Sequence, residues 1–140
     1  MGEKVAQQPP YALAMVICDN IHVDPTTGKK TLLGIFSNVI APSFPVSIGH
    51  FMLYVVLTDG HGDTPVSIRL IDANESRPPI FEAENRVLFS DPRLIADICL
   101  GIMNIEFPEP GEYRLQLFAC GTLLMERRIV CTTPPEVPNA

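Results

Sequence analysis

The stretch C-D-N-I-H-V-D-P-T-T-G-K-K-T-L-L-G-I-F-S-N-V, from Cys18 to Val39, decides the fold. Two apolar runs flank a turn in which each residue has a backbone reason for its place. The Asp24 carboxylate can accept hydrogen bonds from amides two residues on, Pro25 pre-sets its own φ, and Gly28 supplies a positive φ. The pattern predicts a β-hairpin.

Upstream, residues 1–10 form a polar leader ending in Pro9-Pro10, and Tyr11 to Val23 reads as one long strand. Its first half is apolar on both faces. From Cys18 onward Ile21 and Val23 alternate with Asn20, His22 and Asp24. Downstream, Thr31 to Ile40 reads as a second strand, in which Gly34 marks a bulge or a close backbone approach. Phe51–Thr58, Val66–Ala73 and Ile80–Phe89 follow, each with alternating apolar positions and each bounded by Pro, Gly or Asp.

Leu94 to Phe107 is the most apolar segment. Asp91-Pro92 is a helix-start signal, which makes a short helix over 94–99 the rival reading; the Ile, Cys and Gly content favours a strand. Ile98, Leu100 and Ile102 would then share one face, and Cys99 and Met103 the other, so both faces need cover. A second hairpin follows, with Tyr113, Leu115, Leu117 and Ala119 on one face, a turn at Gly121-Thr122, and a return through Leu123 to Cys131. Residues 132–140 form a Pro-rich tail.

A single domain over 11–131 with about eight strands and no secure helix predicts an all-β, antiparallel two-sheet sandwich of immunoglobulin-like type. Pro110-Gly111-Glu112-Tyr113 supports it, because such sandwiches often place at this strand entry a Tyr whose hydroxyl bonds back to the backbone. The quoted C-D-N at 18–20, D-P-T-T-G-K at 24–29, L-L-G-I-F at 32–36, L-T-D-G at 57–60 and G-E-Y-R-L-Q-L at 111–117 resemble a family of small bacterial proteins known only as a domain of unknown function. The resemblance covers nearly the whole chain. It implies a β-sandwich and carries no activity.

Hydrophobic content of 46% with 19% charged residues marks a folded globular chain. A formal charge of −6 argues against nucleic acid, which needs a basic face. No apolar run approaches the roughly 20 residues of a membrane span. Cys18, Cys99, Cys120 and Cys131 contain no C-x-x-C pair and sit in or beside apolar runs, which predicts four buried, reduced thiols in a cytoplasmic protein.

The turn Asp59-Gly60-His61-Gly62-Asp63 offers two carboxylates and an imidazole to a cation such as calcium, but Asp-Gly is also ordinary hairpin chemistry and no bidentate Glu follows at a matching spacing. Asp19, Asn20, His22 and Asp24 form a second polar group, which a solvated strand face explains. The three histidines, His22, His50 and His61, lie in no nucleophile motif, and G-K-K-T at 28–31 lacks the upstream glycine of a phosphate loop. The chain therefore carries no catalytic or cofactor motif. The expectation is a non-enzymatic interaction or scaffold module that works through a sheet face or edge, on a protein partner or in a homodimer. A small-ligand or calcium-binding sandwich using the 59–63 turn is the alternative, and an unrecognised enzyme comes third.

Overall fold

The computed structural model describes residues 8–135. Nine strands run in chain order: β1 (Tyr11–Val23), β2 (Lys30–Ile35), β3 (Asn38–Ile40), β4 (Val46–Thr58), β5 (Gly62–Asp72), β6 (Phe81–Phe89), β7 (Ala96–Phe107), β8 (Gly111–Ala119) and β9 (Thr122–Thr132). They form a four-stranded sheet in the order β2-β1-β4-β7 and a five-stranded sheet in the order β3-β9-β8-β5-β6. Most of the leader (residues 1–7) and the end of the tail (136–140) lie outside the described residues.

The alternation read from the sequence places the core. Phe51, Leu53, Val55 and Leu57 of β4 face Val66, Ile68 and Leu70 of β5 and Leu115 and Leu117 of β8, all buried between the sheets. Burial on this scale contributes about 1.5–3 kcal/mol per large apolar side chain. The connectivity is that of an immunoglobulin sandwich: β1, β4 and β7 stand in the places of its A, B and E strands, β5, β8 and β9 in those of C, F and G. Tyr113, at the start of β8, is buried, and its hydroxyl donates to the Glu109 carbonyl at 2.6 Å. Its ring meets Phe107 edge-on at 4.9 Å between centroids.

Three expectations are corrected. The run Thr31–Ile40 is two strands in different sheets. β2 stops at Ile35, Phe36 turns into the core against the Phe51 ring at 5.9 Å, and β3 then pairs with β9. The polar pair Ser37-Asn38 lies at the crossing and breaks the otherwise apolar run from Leu32 to Ile40. Secondly, the β3–β9 pair is parallel, so the sandwich is not wholly antiparallel. The third correction concerns the last hairpin, which turns at Cys120-Gly121, with φ of 52° and 77°, and pairs Ala119 with Thr122. Two successive positive φ values are what a two-residue hairpin needs to match strand twist. Over 96–99 the chain is strand, as the Ile, Cys and Gly content favours, and not the rival helix.

The first hairpin is built as its residues require. Asp24 Oδ1 accepts from the amides of Thr26 and Thr27 at 2.8 and 3.1 Å, Pro25 sits between, and Gly28 has φ +72°. Gly34 has φ +70°, and a Cβ there would strike the Asp19 side chain. Since nothing lies within 4 Å of a Cβ built on Gly28, the cost of a side chain there is backbone strain alone. Gly28→Val is expected to lower stability by about 1–2 kcal/mol and Gly28→Asn by less. Urea denaturation midpoints check this, and equal midpoints for all three chains would refute it.

Candidate functional site

The outer faces of the two sheets differ in kind. On the five-stranded sheet the outward side chains of β8 and β9 make a charged ladder: Arg114 lies beside Glu112 and Glu126, Arg128 beside Glu112, and Gln116 Nε2 donates to Glu126 at 3.1 Å. Arg69 of β5 lies over the Phe118 ring at 5.8 Å. On the four-stranded sheet the outward positions are Val16 and Cys18 of β1, His50, Met52, Tyr54 and Val56 of β4, and Asp97, Cys99, Gly101 and Met103 of β7. Apart from His50, Tyr54 and Asp97 that face is apolar, and Ile35 and Met103 on it are 65% and 58% exposed.

The hairpin lies partly across this face. β1 pairs with β4 up to Cys18 and with β2 from Cys18 onward. A ribbon continuing in line would carry Lys30, opposite Val23, away from Asp97, which lies opposite Val56. Lys30 Nζ nevertheless donates to Asp97 Oδ2 at 2.5 Å, and the Tyr54 hydroxyl donates to the same oxygen at 3.2 Å. The hairpin therefore curls back over its own sheet, and Cys18 beneath the bend is fully buried.

The strand edges also differ. A free edge invites another strand, and folded proteins block it with inward charges, Lys, Pro, bulges or short strands. Arg127 of β9 points inward and its Nε donates to the Met15 carbonyl at 2.9 Å, which occupies the free edge of β1. A groove of about 540 Å³ remains there, floored by Met15, Val16 and Ile17. β2 has only six residues, beginning at Lys30 and carrying the left-handed Gly34. β6 alternates Glu82, Glu84 and Arg86, all exposed. β7 has twelve residues, ADICLGIMNIEF, with no Lys, Arg or Pro among them. In the A-B-E-D order of an immunoglobulin sheet a D strand would lie beside it; among the described residues no strand does, because β6 pairs with β5 in the other sheet. Just before this strand Ile95 is 68% exposed.

The residues singled out in the sequence are not gathered into one site. Asp59 takes a left-handed φ of 59° and its amide donates to the Pro92 carbonyl, while the Asp63 carboxylate is occupied by Arg86 Nη1 at 2.6 Å. Asp59, His61 and Asp63 do not converge, and among the described residues no group of three or more His, Cys, Asp or Glu could hold an ion. Asp24, Pro25, Gly28 and Gly34 shape the hairpin; Gly111, with φ 144°, and Tyr113 open β8. Asn20 Oδ1 accepts from the Ile21 amide, and Asp19 packs on Gly34.

Sequence reasoning missed two polar clusters. Asp72 is buried at the end of β5, where Oδ1 accepts from the Asn74 amide at 2.9 Å and Oδ2 from Ser76 Oγ at 2.8 Å, with Arg77 bridging to Glu109. Its signal was present, since Asp-Ala-Asn is an Asx-turn pattern. The Lys30–Asp97–Tyr54 cluster left none, because its members lie on three strands.

The profile of DUF6941, a family of unknown function, matches residues 13–131. The chain belongs to that family. No curated protein matches it. The DUF6941 match spans β1 through nearly all of β9, so the hairpin, the Tyr113 corner and the β7 edge all fall inside it.

All four cysteines are free, but the expectation that all are buried is corrected: Cys18 and Cys131 are buried, Cys120 is half-buried and Cys99 is exposed on the apolar face. Burial pushes the Cys131 thiol up to about 11. Iodoacetamide applied to the native protein is expected to label Cys99 first and to reach Cys18 and Cys131 only after denaturation, as peptide mass analysis would show. Early labelling of Cys131 would contradict the packing described.

The Lys30 ammonium holds the Asp97 carboxyl below the ordinary carboxylate value, and the Asn74 amide with the Ser76 hydroxyl does the same for Asp72. Each group therefore stabilises the folded chain above its unfolded pKa, and loses that contribution as pH falls through its lower folded value. Stability is expected to drop below about pH 4. Asp97→Asn and Asp72→Asn should each flatten that drop; chemical denaturation between pH 2 and 7 measures it, and unchanged acid limbs would refute the assignment.

Proposed function

We propose that the protein is a non-enzymatic interaction module that takes up a protein partner at the four-stranded sheet. One observation carries the reading: the β7 edge is long, uncharged at its centre and unpaired among the described residues, while the other free edges are short, charged or capped by Arg127. Main-chain pairing to such an edge supplies affinity, and alternate side chains supply selectivity. The apolar outer face beside it, with Met103 exposed, adds surface of the kind that marks protein contacts. The unbridged thiols favour a reducing setting, which we take to be the bacterial cytoplasm. Among the described residues no helix is long and apolar enough to cross a membrane.

A photo-activated cross-linking side chain placed at Met103, with Glu84 of β6 as control, tests the reading in living cells. Protein adducts at Met103 and none at Glu84 are expected. An absence of adducts at Met103, or equal adducts at both positions, would overturn it.

A further inference from the structure

We propose that the partner at the β7 edge is a second copy of this chain, paired strand to strand and antiparallel about a two-fold axis at Leu100. The inference rests on the interaction reading above and names its partner.

The register follows from the strand itself. Ala96 to Met103 pairs without interruption along β4, from Leu57 to His50, and Asn104, with φ 55°, ends the regular stretch. With Leu100 opposite its own copy, Ile98 lies opposite Ile102, Cys99 opposite Gly101, and Asp97 opposite Met103 of the second copy. Residues that meet then belong to the same face of the sheet, and the inner trio Ile98, Leu100 and Ile102 meets only itself. Ile98 and Leu100 are half-buried and line a narrow apolar cleft of about 20 Å³ between β6 and β7, together with Val55, Val66, Ile68 and Ala83. A neighbouring strand covers that rim, in the place a D strand holds in other immunoglobulin sheets.

Charge favours a like partner. A chain of net charge −6 ordinarily repels its copy, yet the stretch 97–103 holds one charged residue, Asp97, already paired with Lys30. In this register Asp97 faces Met103, so no like charges meet within the paired stretch 97–103. Two four-stranded sheets then become one sheet of eight.

Light scattering at micromolar concentration is expected to give twice the chain mass. Met103→Asp, on an exposed position, sets two carboxylates opposite one another and is expected to weaken association by about tenfold or more, whereas Met103→Lys, facing Asp97, should preserve it. Gly101→Cys, whose added Cβ makes only ordinary contact with Met52 and His50 at 3.7 and 3.9 Å, should give a reducible interchain dimer with oxidised glutathione, by bonding to Cys99 of the other copy. The unsubstituted chain, which keeps the same four thiols, is the control.

A monomer at every concentration, equal effects of Asp and Lys at Met103, or cross-linking of Gly101→Cys no faster than the control would overturn the proposal. A monomer that still gives photo-adducts of other masses at Met103 overturns the second copy and leaves the interaction module standing. A monomer with no such adducts removes both.

Discussion

The sandwich depends on the crossing between Ile35 and Asn38. There the chain leaves one sheet and enters the other, and three contacts fix the passage. The Phe36 amide donates to the Ile17 carbonyl at 3.1 Å, the Phe36 ring packs on Phe51, and the Val130 amide donates to the Ser37 carbonyl at 2.9 Å. The aromatic contact ties the crossing to the most buried part of β4, and the two backbone bonds tie it to β1 and β9. Without this passage the two layers would share the core but not the chain on that side. With it, the β1–β9 side is closed by backbone, by Phe36 and by the inward Arg127, and the opposite side, between β6 and β7, is left to side chains alone.

That asymmetry explains why a single edge stands out. The outward rows of the five-stranded sheet carry alternating acids and bases, and its edge strand β6 is charged on its solvent face. The four-stranded sheet has an apolar outer face, with one polar cluster, Lys30, Asp97 and Tyr54, holding the curled hairpin across it. Among the described residues its last strand is the long one whose outer backbone groups find no neighbouring strand.

Much of this was legible in the residues. The alternation Phe51, Leu53, Val55, Leu57 gave the core face of β4 directly, because a strand's period of two leaves little room for another reading. Asp24, Pro25 and Gly28 marked a turn by their backbone chemistry, and Tyr113 after Pro110-Gly111 marked a corner. The crossing at Phe36 was marked only by the polar pair Ser37-Asn38, and the apolar residues on either side look the same whether the chain stays in one sheet or passes through the core into another. The turn at Cys120-Gly121 was misplaced by one residue because Cys is no usual bearer of a positive φ. Which strand would lie at an edge could not be read at all. Edges are a property of strand order, and the pairings β1–β4 and β4–β7 join segments far apart in the chain.

The parallel pair of β3 with β9 has a consequence for how the protein comes into being. Asn38 is bonded alongside Val130, so β3 waits for β9, made much later in the chain, before it can be paired. While a ribosome is still working, the first hairpin can form from neighbouring residues, and β1 can find β4 once that strand emerges. The layers cannot be locked together until the chain has been released through Thr132. Until then Phe36, Met15 and the inner face of β4 are open to whatever surrounds the nascent chain, and assembly of so non-local a fold is slow compared with synthesis of a hairpin. The same strand that completes the core thus sets the moment at which the protein stops needing protection.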